Sequence, residues 1–183
     1  MKNRTFILAT LFISSLNAYG GDFYVSVDGG ESTLDMKKEY VVDAGYADID
    51  GLSASVGGGY VTDTNVVIGV NLSGTTSDTL LGATDDYELY ESKLTLGYQF
   101  NIAKHFRIVP SVGVSRWKMT TREGVIFNSG PEDKLYYKGS DSFGQINIDF
   151  PINRLVVVSG TFTKGRYDFG TAEAMRVGVK FQF

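Results

Sequence analysis

Arg176-Val177-Gly178-Val179-Lys180-Phe181-Gln182-Phe183 closes the chain, and every second residue in it is apolar. Val177, Val179, Phe181 and Phe183 fall on one side of an extended strand, while Arg176, Gly178, Lys180 and Gln182 fall on the other. A helix would scatter both sets around its circumference, so the octapeptide reads as a strand with one oily and one polar face. Met175 carries the oily set one step further back, and the strand is expected over about 173–183.

The same period of two recurs seven times upstream. Strands are expected at about 22–30 (Phe23, Val25, Val27 against Tyr24, Ser26, Asp28), 50–61 (Leu52, Ala54, Val56, Tyr60 against serines and glycines) and 65–74 (Val66, Ile68, Val70, Leu72). Others are expected at about 87–100 (Leu94, Leu96, Tyr98, Phe100 against Glu91, Lys93, Thr95, Gln99) and 105–118 (Phe106, Ile108, Val112, Val114 against Arg107, Ser111, Ser115). The last two are about 135–150 (Ile146, Ile148, Phe150 against Gln145, Asn147, Asp149) and 155–164 (Val156, Val158, Phe162 against Ser159, Thr161, Thr163). Two places fit badly: Pro110 inside a strand should break a ladder bond or force a bulge, and residues 135–144 are free to slip register by one.

The connections alternate in length. Thr62-Asp63-Thr64, Asn101-Ile102-Ala103-Lys104 and Pro151-Ile152-Asn153-Arg154 are short turns of turn-forming residues. Between them lie polar stretches at 31–48, 75–86, 119–134 and 165–172. Eight antiparallel strands with short and long links in strict alternation describe an all-β, up-and-down transmembrane β-barrel.

The other end of the chain agrees. Met1-Lys2-Asn3-Arg4 is basic, Phe6 to Ile13 is apolar, and Asn17-Ala18-Tyr19-Gly20 is small or polar, the order of a secretory signal peptide. Residues 1–20 are expected to be that signal, with cleavage after Gly20 or, alternatively, after Ala18, leaving 21–183 as the barrel domain. Losing Lys2 and Arg4 leaves 15 basic against 21 acidic residues, a net charge of −6, and no nucleic-acid partner is expected of so acidic a chain. Without cysteine there is neither a disulfide framework nor a thiolate metal site, and no metal or cofactor is expected.

Alternation alone suits a soluble barrel too, with its oily face turned inward. Here the polar face is rich in Gly, Ser, Thr and Asn, small enough to fill a narrow tube, so the oily face is expected outside. Phe23, Tyr60, Tyr98, Phe100, Phe106, Phe150, Phe181 and Phe183 then gather near strand ends, where interfacial girdles sit. The final octapeptide resembles the signal by which the barrel-assembly machinery recognises its substrates, with Arg176, Gly178, Phe181 and Phe183 at the defined positions. With Phe23-Tyr24-Val25-Ser26-Val27 and the eight-strand plan, the mature chain resembles the small outer-membrane β-barrel family of OmpX, Ail, opacity-type proteins and the OmpA transmembrane domain. That resemblance implies export through the periplasm, an outer-membrane location, assembly by that machinery, and contact with outer-membrane lipid and lipopolysaccharide. It does not imply one function.

In this register Asp28, Glu91, Lys93, Arg107, Asp149, Arg176 and Lys180 project into the lumen, where they are expected to pair. A plug of ion pairs fits so narrow a tube better than a conduit for small solutes. No catalytic set is found: His105, the lone histidine, sits beside a turn and reads as an ordinary polar end residue. The remaining candidate is recognition of a host or surface ligand through external loops. Those stretches carry Glu31, Asp35, Lys37, Lys38, Glu39, Asp43 and Asp48, then Asp78, Asp85 and Asp86, then Arg122, Glu123, Phe127, Glu132, Asp133 and Lys134, with Tyr136 nearby. The reading is a non-enzymatic outer-membrane barrel for envelope structure or surface interaction, with a narrow porin-like channel or a loop-borne adhesin as its rivals.

Overall fold

A computed structural model describes residues 21–37, 40, 48–77, 86–122 and 134–183. The expected signal segment and much of the first three long connections lie outside the described residues. The strands are β1 (Gly21–Met36), β2 (Asp48–Thr62), β3 (Val66–Ser77), β4 (Asp86–Tyr98), β5 (Phe100–Ala103), β6 (Phe106–Arg122), β7 (Lys134–Pro151), β8 (Val156–Tyr167) and β9 (Gly170–Gln182). All neighbours pair antiparallel, and β4 also pairs β6, which closes the sheet on itself. β5 continues β4: Gly97 faces Ser111 and Phe100 faces Ile108, one unbroken register. Pairing lapses at Tyr98 and Gln99, across from Pro110 and Val109, where the missing proline N–H interrupts β4 without a bulge in β6 or β7, and the register shifts by one only at the turn, between Asn101 and Ala103. The barrel thus has eight staves.

The registers fix its dimensions. A walk through hydrogen-bonded partners runs Tyr24, Gly59, Gly69, Thr95, Gly113, Phe143, Gly165, Ala172 and back to β1 at Leu34. One circuit therefore climbs from residue 24 to residue 34, a shear of ten residues. With about 3.3 Å per residue and about 4.8 Å between strands, eight strands at this shear tilt by roughly 41° and lie roughly 8 Å from the axis. Such a tube is as wide as its own inward side chains. Because the shear is even, inward and outward positions stay in phase around the closure, and β7 keeps one register against β6 from Lys134 to Asp149 with no slip.

The outer surface has two zones. Each residue climbs about 2.5 Å along the axis at this tilt. At the end carrying Gly21 and Phe183, Phe23 packs on Tyr60, Tyr98 on Phe100, and Phe106 on Phe150, with centroids 5.0, 4.9 and 5.5 Å apart. With Phe181 and Phe183 these rings form a girdle. Above it stand Val27, Val56, Val70, Leu72, Leu94, Leu96, Val112, Val114, Ile146, Met175 and Val177, all exposed. From the girdle to Val114 and Met175 this oily band rises roughly 20 Å, close to the apolar height of a membrane barrel. An apolar surface outside a polar interior requires hydrocarbon as solvent, so this is a membrane-spanning barrel.

Beyond the band the strands continue further than alternation predicts. Residues 31–36, 75–77, 119–122 and 165–167 are ladder, not loop. The stretch 165–172 is no long loop at all: Tyr167 pairs Gly170, leaving only Asp168 and Phe169 at the hairpin tip. Gly170 has φ 147°, and a Cβ there would stand 2.0 Å from the Asp35 carbonyl oxygen, so the tip requires glycine. Strict alternation of short and long links fails at this hairpin. At the opposite end, Asn153 Oδ1 accepts from the N–H groups of Leu155 and Val156 at 2.8 Å each, the side-chain turn its sequence promised.

Candidate functional site: a filled lumen under an aromatic cap

All seven charged residues assigned to the lumen point inward. Near the terminal end Lys180 Nζ meets both Asp149 oxygens at 2.7 and 2.9 Å and lies 5.7 Å from the centre of the Tyr24 ring. Ser159 donates to the same carboxylate at 2.7 Å. Arg107 stands without an acid among the described residues: it donates to Gln182 Oε1 at 3.2 Å, while Gln182 Nε2 donates to Asp22 at 2.8 Å.

Midway up, Arg176 Nε faces Asp28 at 2.7 Å, and its two terminal nitrogens donate to Ser53 and Thr163 at 3.1 Å each. Ser55 donates to Asp28 at 2.7 Å. Higher still, Lys93 meets Glu91 at 2.7 Å with both side chains almost wholly buried. Glu91 is the most heavily served group: Ser73, Ser115 and the Tyr167 hydroxyl also donate to it, at 3.1, 3.0 and 2.7 Å. Burying a charge is costly unless partners replace its water, and these serines and threonines do so. That explains why the polar faces of β2, β3, β6 and β8 are built from small hydroxyls.

Gly178 and Arg176, two positions of the expected assembly signal, have structural work as well. A Cβ on Gly178 would stand 2.5 Å from the Asp28 Cβ, so glycine there lets β9 carry its arginine beside that acid. Phe181 and Phe183 face outward in the girdle. Phe183 also closes the end of the barrel, exchanging backbone hydrogen bonds of 2.8 and 3.1 Å with Phe23.

The Tyr167 hydroxyl leads into a region that alternation did not find. Leu34, Met36, Tyr87, Leu89, Trp117, Met119, Tyr167 and Phe169 form a buried cluster across the far end of the tube. Phe169 is stacked on Tyr167 at 5.0 Å and meets Trp117 edge-on at 4.8 Å. Trp117 Nε1 donates to Asp141 at 2.7 Å. Among the described residues lumen and cap leave little space: three inner cavities hold about 30 Å³ or less each, room for single waters. His105 is at the terminal end, its Nδ1 3.0 Å from the Pro151 carbonyl oxygen and far from this cluster.

The loop residues proposed for recognition divide. Glu31 and Asp35 lie on the outer face of β1, and Tyr136 on that of β7; all three are exposed. Lys37 donates to the Asp168 carbonyl at 2.6 Å, holding the first link to the hairpin tip. Asp48, Asp86, Arg122 and Lys134 sit in strand ends, while Lys38, Glu39, Asp43, Asp78, Asp85, Glu123, Phe127, Glu132 and Asp133 lie outside the described residues.

No family model and no curated protein matches the chain. Solved structures do. Neisserial surface protein A aligns over 90% of this chain and 100% of its own with a TM-score of 0.71 and 12% identity. The attachment invasion locus protein Ail of Yersinia pestis covers 89% of this chain and 99% of its own at 0.65 and 12%. The N-terminal barrel domain of Pseudomonas aeruginosa OprF covers 90% and 100% at 0.55 and 14%. The chain therefore shares the fold of small outer-membrane barrels, and at these identities the likeness concerns fold.

Proposed function

We propose that the protein is a closed, non-conducting and non-enzymatic outer-membrane barrel that holds a rigid platform above the outer leaflet for envelope structure or surface interaction. The observation that carries this reading is the filling of the tube along its whole described length. Among the described residues, ion pairs occupy the lower and middle lumen and an aromatic cap its far end, and the three inner cavities between them hold about 30 Å³ or less each. Export under a signal peptide is read from residues 1–20, and periplasmic termini with a cap facing the cell exterior from the three short turns at one end against three longer links at the other. Ail, a neighbour in fold, is by its name an attachment invasion locus protein, so the same architecture serves surface work elsewhere.

Planar-bilayer recording of refolded protein tests the closure. The expected trace shows no unitary conductance, whereas stable steps lost on Arg107→Gln or Lys93→Gln would replace the plug with a channel.

A further inference from the structure

Just above the oily band, the outer surface changes from apolar to charged, and most of the charges are sorted. Glu173, Glu31, Asp35 and Asp50 lie over β9, β1 and β2, while the acid Glu88, on β4 opposite Thr120, borders β6. Arg116, Lys118, Lys138, Lys164 and Arg166 lie together over β6, β7 and β8, all exposed. Lys164 is paired with Glu173. Among the described residues the other four have no ion pair. Lys118 and Lys138 are direct cross-strand partners, an arrangement of like charges that destabilises a sheet. Four clustered cations without an ion pair among the described residues make a surface suited to an anionic ligand.

The surface beneath them has matching shape. On β7 the outward positions Ser140, Ser142 and Gly144 carry almost no bulk, and a Cβ on Gly144 would meet nothing within 4 Å. The result is a groove of about 820 Å³ along the apolar wall, passing Leu94, Val112 and Val114 and ending at Lys164 and Arg166. A second groove of about 580 Å³ passes Leu72 and Leu94 and ends at Arg116 and Ser140. Each is a shallow, open apolar trough on the band, with a cation at its upper edge.

We propose that this face binds a phosphorylated, acylated lipid of the outer leaflet, its chains in the two grooves and its phosphates against Arg116, Lys118, Lys138 and Arg166. The height of the cations decides the class of ligand: they sit where hydrocarbon gives way to headgroups, so one molecule meets both chemistries. The proposal rests on the outer-membrane reading above and names the partner of its outer face.

Folded protein in neutral detergent is titrated with bisphosphorylated lipid A, with the same lipid stripped of phosphate, and with inorganic phosphate, and the complexes are measured by native mass spectrometry. Phosphorylated lipid A is expected to bind most tightly, and Lys118→Gln, Lys138→Gln and Arg166→Gln to weaken it by about fivefold for each charge removed. Gly144→Leu, which fills the groove, should weaken lipid A and leave the weak phosphate signal unchanged. Equal affinity for the stripped lipid, undiminished binding by the triple variant, or inorganic phosphate binding as tightly as lipid A would overturn the site. A heat-dependent gel shift is read in parallel on every variant: its presence confirms a folded barrel, so that a loss of binding belongs to the site. Absence of the shift in the unaltered protein would overturn the barrel reading itself.

Discussion

The same strands obey opposite rules at their two ends. On β6 the outward residues run Ile108, Pro110, Val112 and Val114 and then become Arg116 and Lys118. The inward ones run Ser111, Gly113 and Ser115 and then become Trp117 and Met119. β1 changes in the same way, from Val27 outside and Asp28 inside to Thr33 outside and Leu34 inside. β9, descending, passes from Glu173 outside and Ala174 inside to Met175 outside and Arg176 inside. Backbone pairing runs through the change without a break in register. What changes is the solvent: hydrocarbon against the lower zone, water against the upper one, where an ordinary apolar core becomes favourable again. Alternation reports a sheet with two faces; the sign of the alternation reports what each face touches.

Two zones with different solvents should respond differently to the loss of the same oily surface. Phe169→Ala removes a fully buried ring from the capped end, and a loss of about 3–5 kcal/mol is expected for such a deletion. Trp117, the only tryptophan, packs on that ring and is 2% exposed, so its emission reports the cap directly. In urea the variant's tryptophan signal should shift to lower denaturant while the heat-dependent gel mobility of the membrane zone is kept. A fluorescence midpoint equal to that of the unaltered protein would erase the distinction between the zones.

The converse experiment moves a charge downward. Arginine at 116 is native and exposed, yet Val112→Arg, two outward positions lower on the same strand, enters the oily band. A cost of about 2–4 kcal/mol is expected near the middle of a bilayer, falling towards its edges. Refolding equilibria in phospholipid vesicles measure it. A penalty no larger than that of Lys118→Arg would place the hydrocarbon boundary elsewhere.

This inversion also explains what sequence reading could and could not see. The eight staves, the outward girdle and the seven inward charges follow from one constant parity, which is why Asp28, Glu91 and Arg176 were assignable without coordinates. Leu34 and Met36 carry their apolar groups on the parity that Ser26 and Asp28 had kept polar. A strand read by its oily set therefore ends at about residue 30, although β1 runs on to Met36. Trp117 and Met119 broke the pattern in β6 for the same reason, and Leu34, Met36, Met119, Tyr167 and Phe169 of the cap fell into what read as loop, while Tyr87, Leu89 and Trp117 stood in expected strands. A second signal was available: aromatics and methionines in supposedly polar links, Met36, Met119, Tyr167 and Phe169, are too oily for solvent. The partner choices within the lumen were not legible, because they depend on register: Lys93 and Glu91 share β4, but Arg176 meets Asp28 across the β1–β9 closure and Lys180 meets Asp149 two strands away. Arg176 reaches Ser53, 123 residues away, only because the tube is narrow.

The smallest effect expected is at the collar itself. Lys164 and Glu173 pair across β8 and β9, but their side chains remain 54% and 41% exposed. Water and salt screen such a pair, so Lys164→Gln should cost no more than about 1 kcal/mol, and less in high salt. The contrast is with Lys93, whose side chain is only 2% exposed beside Glu91; Lys93→Gln strands a buried carboxylate and should cost several times as much, about 3–5 kcal/mol. Chemical denaturation of both variants at low and high salt compares them directly. If the two losses were equal, the lumen would be as wet as the collar, and the plug would have to be read as a water-filled passage.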